Sequence, residues 1–167
     1  MESKELSVVI VTFKSESKIF DCLNSIPNFI QVKIVENSNN KSFKENIEKK
    51  YTNVECILVG ENKGYAVANN IGLKKVKTKY ALILNPDTIL NKDVINNFFI
   101  TAKKLKEFWL IGSANDQVNN IYSRDNHVLE VDNLKGHAIF FNIEKFENNF
   151  FDENYFLYFE EIDLCKK

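Results

Sequence analysis

Tyr80-Ala81-Leu82-Ile83-Leu84-Asn85-Pro86-Asp87-Thr88 is the stretch on which the fold turns. It opens with a short, continuous apolar run, the pattern of a strand buried on both faces of a parallel sheet. Proline cannot continue such a strand, so Asn85-Pro86-Asp87 reads as a turn at its C-terminal end. In open α/β sheets, ligands sit outside that end of the strands. A carboxylate placed there can hold a hard divalent cation against a substrate's phosphates. A plain turn with no ligand fits the same residues, so the rest of the chain has to decide.

Strand and helix patterns alternate on both sides of this stretch, with short connections. Leu6 to Phe13 is a β-rich run, followed by Ile19, Cys22, Leu23 and Ile26 at helical spacing, with Pro27 closing that helix. Val32 to Val35 is a second strand, ending in the polar turn Glu36 to Asn40. A charged helix around Phe43 to Tyr51 leads to a third strand, Val54 to Val59. Gly64 to Val76 reads as a helix, and Lys79 to Leu84 as the fourth strand. Asn91 is placed to cap the next helix, whose stripe is Val94, Phe98, Ala102 and Leu105. Trp109 to Ala114 returns to strand character, Asn115 to Asn133 is polar and irregular, and Leu134 to Phe141 is strand-like again. No repeat or linker divides the chain. This order predicts a three-layer α/β domain around a mainly parallel central sheet.

At 167 residues the chain fits one domain, and a domain of that length buries roughly 70% of its unfolded surface without staples. A hydrophobic share of 44% beside 27% charged residues is globular, not disordered. The net charge of -1 exerts no global pull on nucleic acid or acidic lipid, so an anionic ligand needs a local site. Cys22, Cys56 and Cys165 are odd in number and widely separated, without a CxxC pair. They fit reduced thiols in the cytosol better than a zinc site or a disulfide framework. No apolar run is long enough to span a bilayer and no secretory leader is visible. Peripheral attachment to a membrane needs neither.

The Gly-rich fingerprint of dinucleotide-binding Rossmann enzymes is absent: Phe13-Lys14-Ser15-Glu16 follows the first strand. A second carboxylate group, Glu160-Glu161-Ile162-Asp163, follows the aromatic run Tyr155 to Phe159. Acidic residues in a helix's first turn favour its macrodipole, which is a structural reading of the cluster. The functional reading is a carboxylate raised from an apolar wall to take a proton from a hydroxyl. Paired carboxylates also serve glycoside hydrolases, although the alternating α/β order argues against that class here. His127 and His137 show no metal-ligand spacing with the acids.

Six segments together resemble the family 2 glycosyltransferases of GT-A fold, close to their bacterial rhamnosyltransferase-like branch. In order they are SVVIVTF (7–13), IVENSN (34–39), ENKGYAVANNIGL (61–73), YALILNPDTIL (80–90), LKGHAIFF (134–141) and FLYFEEIDLC (156–165). They span nearly the whole chain. The resemblance implies a Rossmann-like, three-layer GT-A domain over residues 1–167, with a nucleotide-binding half to about residue 90 and an acceptor-side half beyond it. The chain stops at the start of the helix opened by the acidic cluster, so that second half is expected to be incomplete.

The resemblance also implies roles. Thr12 and Phe13 should line the pocket for the donor's base, and Glu36 matches the acid that reads the base edge. Asn62, Gly64, Asn69 and Asn70 match the stretch beside the ribose and diphosphate. Asn85 and Asp87 match the ends of a DxD-type motif, with Asp87 the metal ligand for Mg²⁺ or Mn²⁺. Gly136 matches a small residue near the donor sugar. Glu161 matches the catalytic base, with Glu160 before it, and Asp163, in the vicinity of the sugar and acceptor, supports the helix or the groups around the base. The implied reaction moves a sugar from a UDP- or dTDP-linked donor to a hydroxyl of a glycan or lipid-linked acceptor, with inversion. Its implied setting is the cytoplasm or the inner face of the membrane, in polysaccharide assembly of the cell envelope. The alternative is a non-catalytic, sugar-nucleotide-binding remnant or partner subunit.

Overall fold

A computed structural model describes residues 2–113 and 128–166. His127, the expected strand end at Ala114 and the polar stretch up to residue 127 lie outside the described residues. The elements run β1 (Leu6–Thr12), α1 (Ile19–Ser25), β2 (Gln31–Glu36), α2 (Lys41–Lys50), β3 (Val54–Leu58) and α3 (Gly64–Leu73). They continue as β4 (Tyr80–Leu84), α4 (Val94–Leu105), β5 (Leu110–Gly112), β6 (Ala138–Asn142) and α5 (Glu160–Leu164), with 3-10 turns at Glu2–Glu5 and Ile143–Lys145.

These strands form one sheet in the order β3-β2-β1-β4-β6-β5. The first four are mutually parallel; β6 is antiparallel to both β4 and β5. The sheet is therefore mainly parallel, as its apolar runs predict. Strand order reverses between β1 and β4, and the crevice outside the C-terminal ends of those two strands is where an open α/β sheet binds ligands.

Alternation along the strands divides the core into two layers. Val8, Ile10, Leu82 and Phe140 face α1, α2 and α4. Val9, Ala81, Ile83, Ile139 and Phe141 face α3, Leu164 of α5 and the aromatic group Phe146, Phe150 and Phe151. All are buried, so every central strand is covered on both sides. Cys22, Cys56 and Cys165 are free, as expected. Among the described residues no helix is long and apolar enough to cross a membrane.

Two expectations need correction. The last strand starts at Ala138 rather than Leu134, because Gly136 and His137 give their carbonyls to Tyr65, Asn85 and Thr88. The helix expected from an Asn91 cap begins at Val94, with Asp93 in the cap position and Asn91 accepting only the backbone N–H of Val94.

Candidate functional site

The parallel strands deliver Thr12, Glu36 and Asn85 to one edge of the sheet. Thr12 and Glu36 are register partners at the ends of β1 and β2. The Thr12 hydroxyl donates to Glu36 Oε2 at 2.5 Å, and Ser38 donates to the other carboxylate oxygen. Glu36 is only 2% exposed, so Thr12 and Glu36 form a floor beneath the crevice, while Phe13 next to them is exposed. The resemblance put Thr12 and Glu36 against the base; the fold pairs them with each other.

Asn37, not singled out from sequence, ties that floor to α3. Its amide donates to Asn62 Oδ1 at 2.8 Å and to the Gly64 carbonyl at 3.1 Å, and accepts from the Lys63 N–H at 3.0 Å. Asn62 Oδ1 also receives the Gly64 N–H at 3.0 Å. A loop held this tightly can present backbone to a ribose or diphosphate with little ordering cost on binding. Gly64 itself has φ +82°, a conformation that favours glycine. Asn70 lies deeper and bonds elsewhere. Its amide exchanges bonds with Phe151, at 2.9 and 3.0 Å, and reaches Glu153 at 3.0 Å. Asn69 is buried and donates to the Tyr65 carbonyl. Both brace α3 from inside.

The turn Asn85 to Thr88 is clamped from two sides. The Asn85 N–H and the Thr88 hydroxyl both donate to the His137 carbonyl, at 3.0 and 3.3 Å. From α1, the Cys22 thiol donates to the Asn85 carbonyl at 3.7 Å, and Ser25 Oγ accepts the Leu90 N–H at 3.0 Å. Burial, with the Asp87 charge adding to it, pushes the Cys22 thiol up to about 12, so it remains an S–H donor. Asp87 stands out of this frame, 54% exposed, with Lys18 Nζ 3.5 Å away. That exposed ion pair reaches between the segments that follow β1 and β4, across the switch point.

Among the described residues no group of three or more His, Cys, Asp or Glu is arranged to hold a metal by itself. Asp87, exposed at the end of β4, is an oxygen donor of the type a hard divalent cation takes.

The acidic cluster lies beside Gly136. Glu160 is 4% exposed, and its Oε2 has no partner among the described residues. Burial, with Glu161's charge adding to it, raises the Glu160 carboxyl above the usual carboxylate range. Glu161 is half-buried and faces Gly136: a Cβ built on that glycine would lie 3.8 Å from the Glu161 carboxyl and 3.8 Å from the Tyr65 hydroxyl. Asp163 Oδ2 is buried without a partner among the described residues. Tyr158 and Phe159, exposed aromatics just before the cluster, both have φ +71°. Left-handed backbone at bulky residues is strained, and such strain clusters at ligand sites.

Gly136 needs no glycine for packing, since a Cβ there makes only ordinary contacts and its φ is not left-handed. Gly136→Ala is therefore expected to leave the melting temperature within about 2 °C, a change below about 1 kcal/mol. If the space beside Glu161 holds substrate, the same methyl lowers turnover. Circular-dichroism melting together with a transfer assay checks both halves.

The family model for glycosyl transferase family 2 matches residues 7–164. The low-salt glycan biosynthesis hexosyltransferase Agl10 of Haloferax volcanii is 23% identical over 96% of this chain and 60% of its own length. S. aureus TarS 1-349 in complex with UDP superposes with a TM-score of 0.74 at 18% identity, over 96% of this chain and 54% of that one. The mannosyltransferase PcManGT from Pyrobaculum calidifontis, in complex with GDP-Man and Mn²⁺, gives 0.72 at 16% identity, over 90% and 48%. GalNAc-T7 with UDP, GalNAc and Mn²⁺ gives 0.75 at 13% identity, over 96% and 39%. The chain thus spans about half the length of these proteins, and the architecture they share with it is the GT-A fold. With that fold, and with a model match running from β1 to α5, the chain belongs to glycosyl transferase family 2.

Proposed function

We propose that this chain carries the donor site and catalytic base of an inverting glycosyltransferase. It transfers a hexosyl unit from a nucleoside-diphosphate sugar to a hydroxyl of a glycan or lipid-linked acceptor. The observation that carries the reading is one juxtaposition. The His137 carbonyl holds the Asp87 turn, and Gly136, the residue before it, faces the Glu161 carboxyl. A diphosphate at Asp87 would then leave from one end of a reacting sugar while Glu161 deprotonates the nucleophile at the other.

Residues 1–90 supply the nucleotide half of the site. Phe13 and the Asn62–Gly64 loop border the nucleoside, above the Thr12–Glu36 floor. Asp87 and the Asn85 side chain are the residues that would hold Mg²⁺ or Mn²⁺, and such an ion would offset the charge developing on the leaving diphosphate. From residue 91 onward the chain supplies the acceptor side. Glu161 accepts the acceptor's hydroxyl proton as that oxygen bonds to the anomeric carbon. The bond from that carbon to the diphosphate oxygen breaks in the same displacement, with inversion. Glu160, buried and turned inward, does not reach the acceptor, and Asp163 steadies the helix. The relatives support a donor of this class: TarS is seen with UDP and with UDP-GlcNAc, and PcManGT with GDP-Man and Mn²⁺. The relative's hexosyltransferase name supports a six-carbon sugar as the transferred unit. The setting that fits is the cytoplasm, at the inner face of the membrane where a lipid-linked acceptor would be presented.

Thermal melting with UDP, dTDP and GDP, with and without Mn²⁺, tests the donor site. At a hundredfold excess over Kd the matching nucleotide should raise the melting temperature by about 5–10 °C. Asp87→Ala is expected to abolish the Mn²⁺-dependent part of that rise. A folded protein indifferent to all three nucleotides overturns the proposal.

A further inference from the structure

Tyr65 is the second residue of α3 and stands where three segments meet. Its N–H donates to the Phe156 carbonyl at 2.8 Å, and its ring meets Phe151 edge-on with centroids 6.0 Å apart. Its hydroxyl crosses to the turn before β6 and donates to the Gly136 carbonyl at 2.8 Å. Burial and the nearby charges of Glu160 and Glu161 push the phenol above its ordinary range, so it stays a protonated donor. The next carbonyl along, that of His137, receives the Asn85 N–H and the Thr88 hydroxyl. Successive carbonyls of this turn, which leads into β6, are therefore pinned by different elements: one by α3, the other by the turn that presents Asp87. Between them, Gly136 faces Glu161. The segment is the spacer between metal carboxylate and base, and the Tyr65 hydroxyl is the bond that fixes it to the nucleotide-side helix.

We infer that Tyr65 is a positioning residue for transfer: its hydroxyl, through the Gly136 carbonyl, sets the placement of Glu161 relative to Asp87. This rests on the transfer reading above. Tyr65 touches no reacting atom in this account, so losing its hydroxyl should leave donor affinity alone and misplace the base. Misplacements on the ångström scale are costly to chemistry even when binding survives.

Tyr65→Phe keeps the ring and removes only the hydroxyl. Its kcat should fall about tenfold, the equivalent of one hydrogen bond lost at the transition state, with nucleotide Kd and donor KM unchanged within about twofold. Hydrogen exchange supplies a readout independent of turnover: amides in 134–142 should exchange faster in Tyr65→Phe, while β1 stays as in the wild type. An unchanged kcat overturns the inference. So does a loss of nucleotide affinity matching the loss of kcat, because Tyr65 would then be part of the donor scaffold. If the wild type transfers no sugar, the enzyme reading fails on its own. The exchange arm still decides the brace, and unaltered exchange in 134–142 overturns it.

Discussion

Glu161→Gln should bind nucleotide as the wild type does, within about twofold, and lose about a thousandfold in kcat, the middle of the range for removing a general base. The substitution keeps the side chain's shape and removes only its ability to take a proton. Glu161 is singled out by exposure and aim. It is half-buried at the mouth of α5, facing the open side of Gly136, where an added methyl would still find 3.8 Å of clearance. Glu160, its neighbour, is buried at 4% exposure with an oxygen unpartnered among the described residues, and burial raises its carboxyl towards the neutral form. A group held so has no path to an acceptor hydroxyl. Glu160→Gln should consequently cost kcat less than about tenfold, well short of the general-base range. Product formation under saturating donor, paired with nucleotide titration, separates the two variants. Undiminished transfer by Glu161→Gln would sink the base assignment. Equal losses in both would shift attention to the helix as a whole.

The half of the molecule built from parallel strands was legible because burial on both faces writes itself as continuous apolar runs. SVVIVTF and YALILN carry their strand ends, and hence the ligand edge, in their own residues. The direction of β6 was not legible, since antiparallel pairing with β4 leaves no mark on the apolar run Ala138 to Phe141 itself. The same holds for the site's internal bonds. The Thr12–Glu36 pairing follows from the register of two strands, and its consequence, a buried carboxylate, cannot be seen in a turn that reads as polar. Asn37 and Tyr65 act on partners far along the chain. Only a neighbouring motif hinted at either: the polar run after β2 for Asn37, and a lone hydroxyl in an otherwise apolar helix start for Tyr65. Asn70 shows the converse. A motif position that resembled a ligand contact is bonded inward to Phe151 and Glu153, because α3 has to be tied to the segment that packs over it.

That tie explains why Gly64→Ala is expected to be the most disruptive small substitution in the chain. Two effects combine at this position. The left-handed φ of +82° strains any residue with a Cβ, by about 1–2 kcal/mol. The Cβ would also lie 2.3 Å from the Phe156 carbonyl oxygen and 2.9 Å from its ring, and backbone at that distance has to move. Overpacking of this kind typically costs about 1–3 kcal/mol, so the sum is about 2–5 kcal/mol, or roughly 5–15 °C in melting temperature. Gly60 provides the control: its φ is +94° but no atom lies within 4 Å, so Gly60→Ala carries the strain without the clash. The difference between the two variants isolates the contact with Phe156. It also has a functional side. Phe156 accepts the Tyr65 N–H and leads through the strained Tyr158 and Phe159 to Glu161, while Gly64 is bonded to Asn37 and Asn62 in the donor loop. Pushing Phe156 off Gly64 therefore disturbs the donor loop and the base segment together, and Gly64→Ala should lose nucleotide affinity and turnover at once. A melting temperature no lower than that of Gly60→Ala would show that the base segment yields freely to the donor loop and that the two are not locked together.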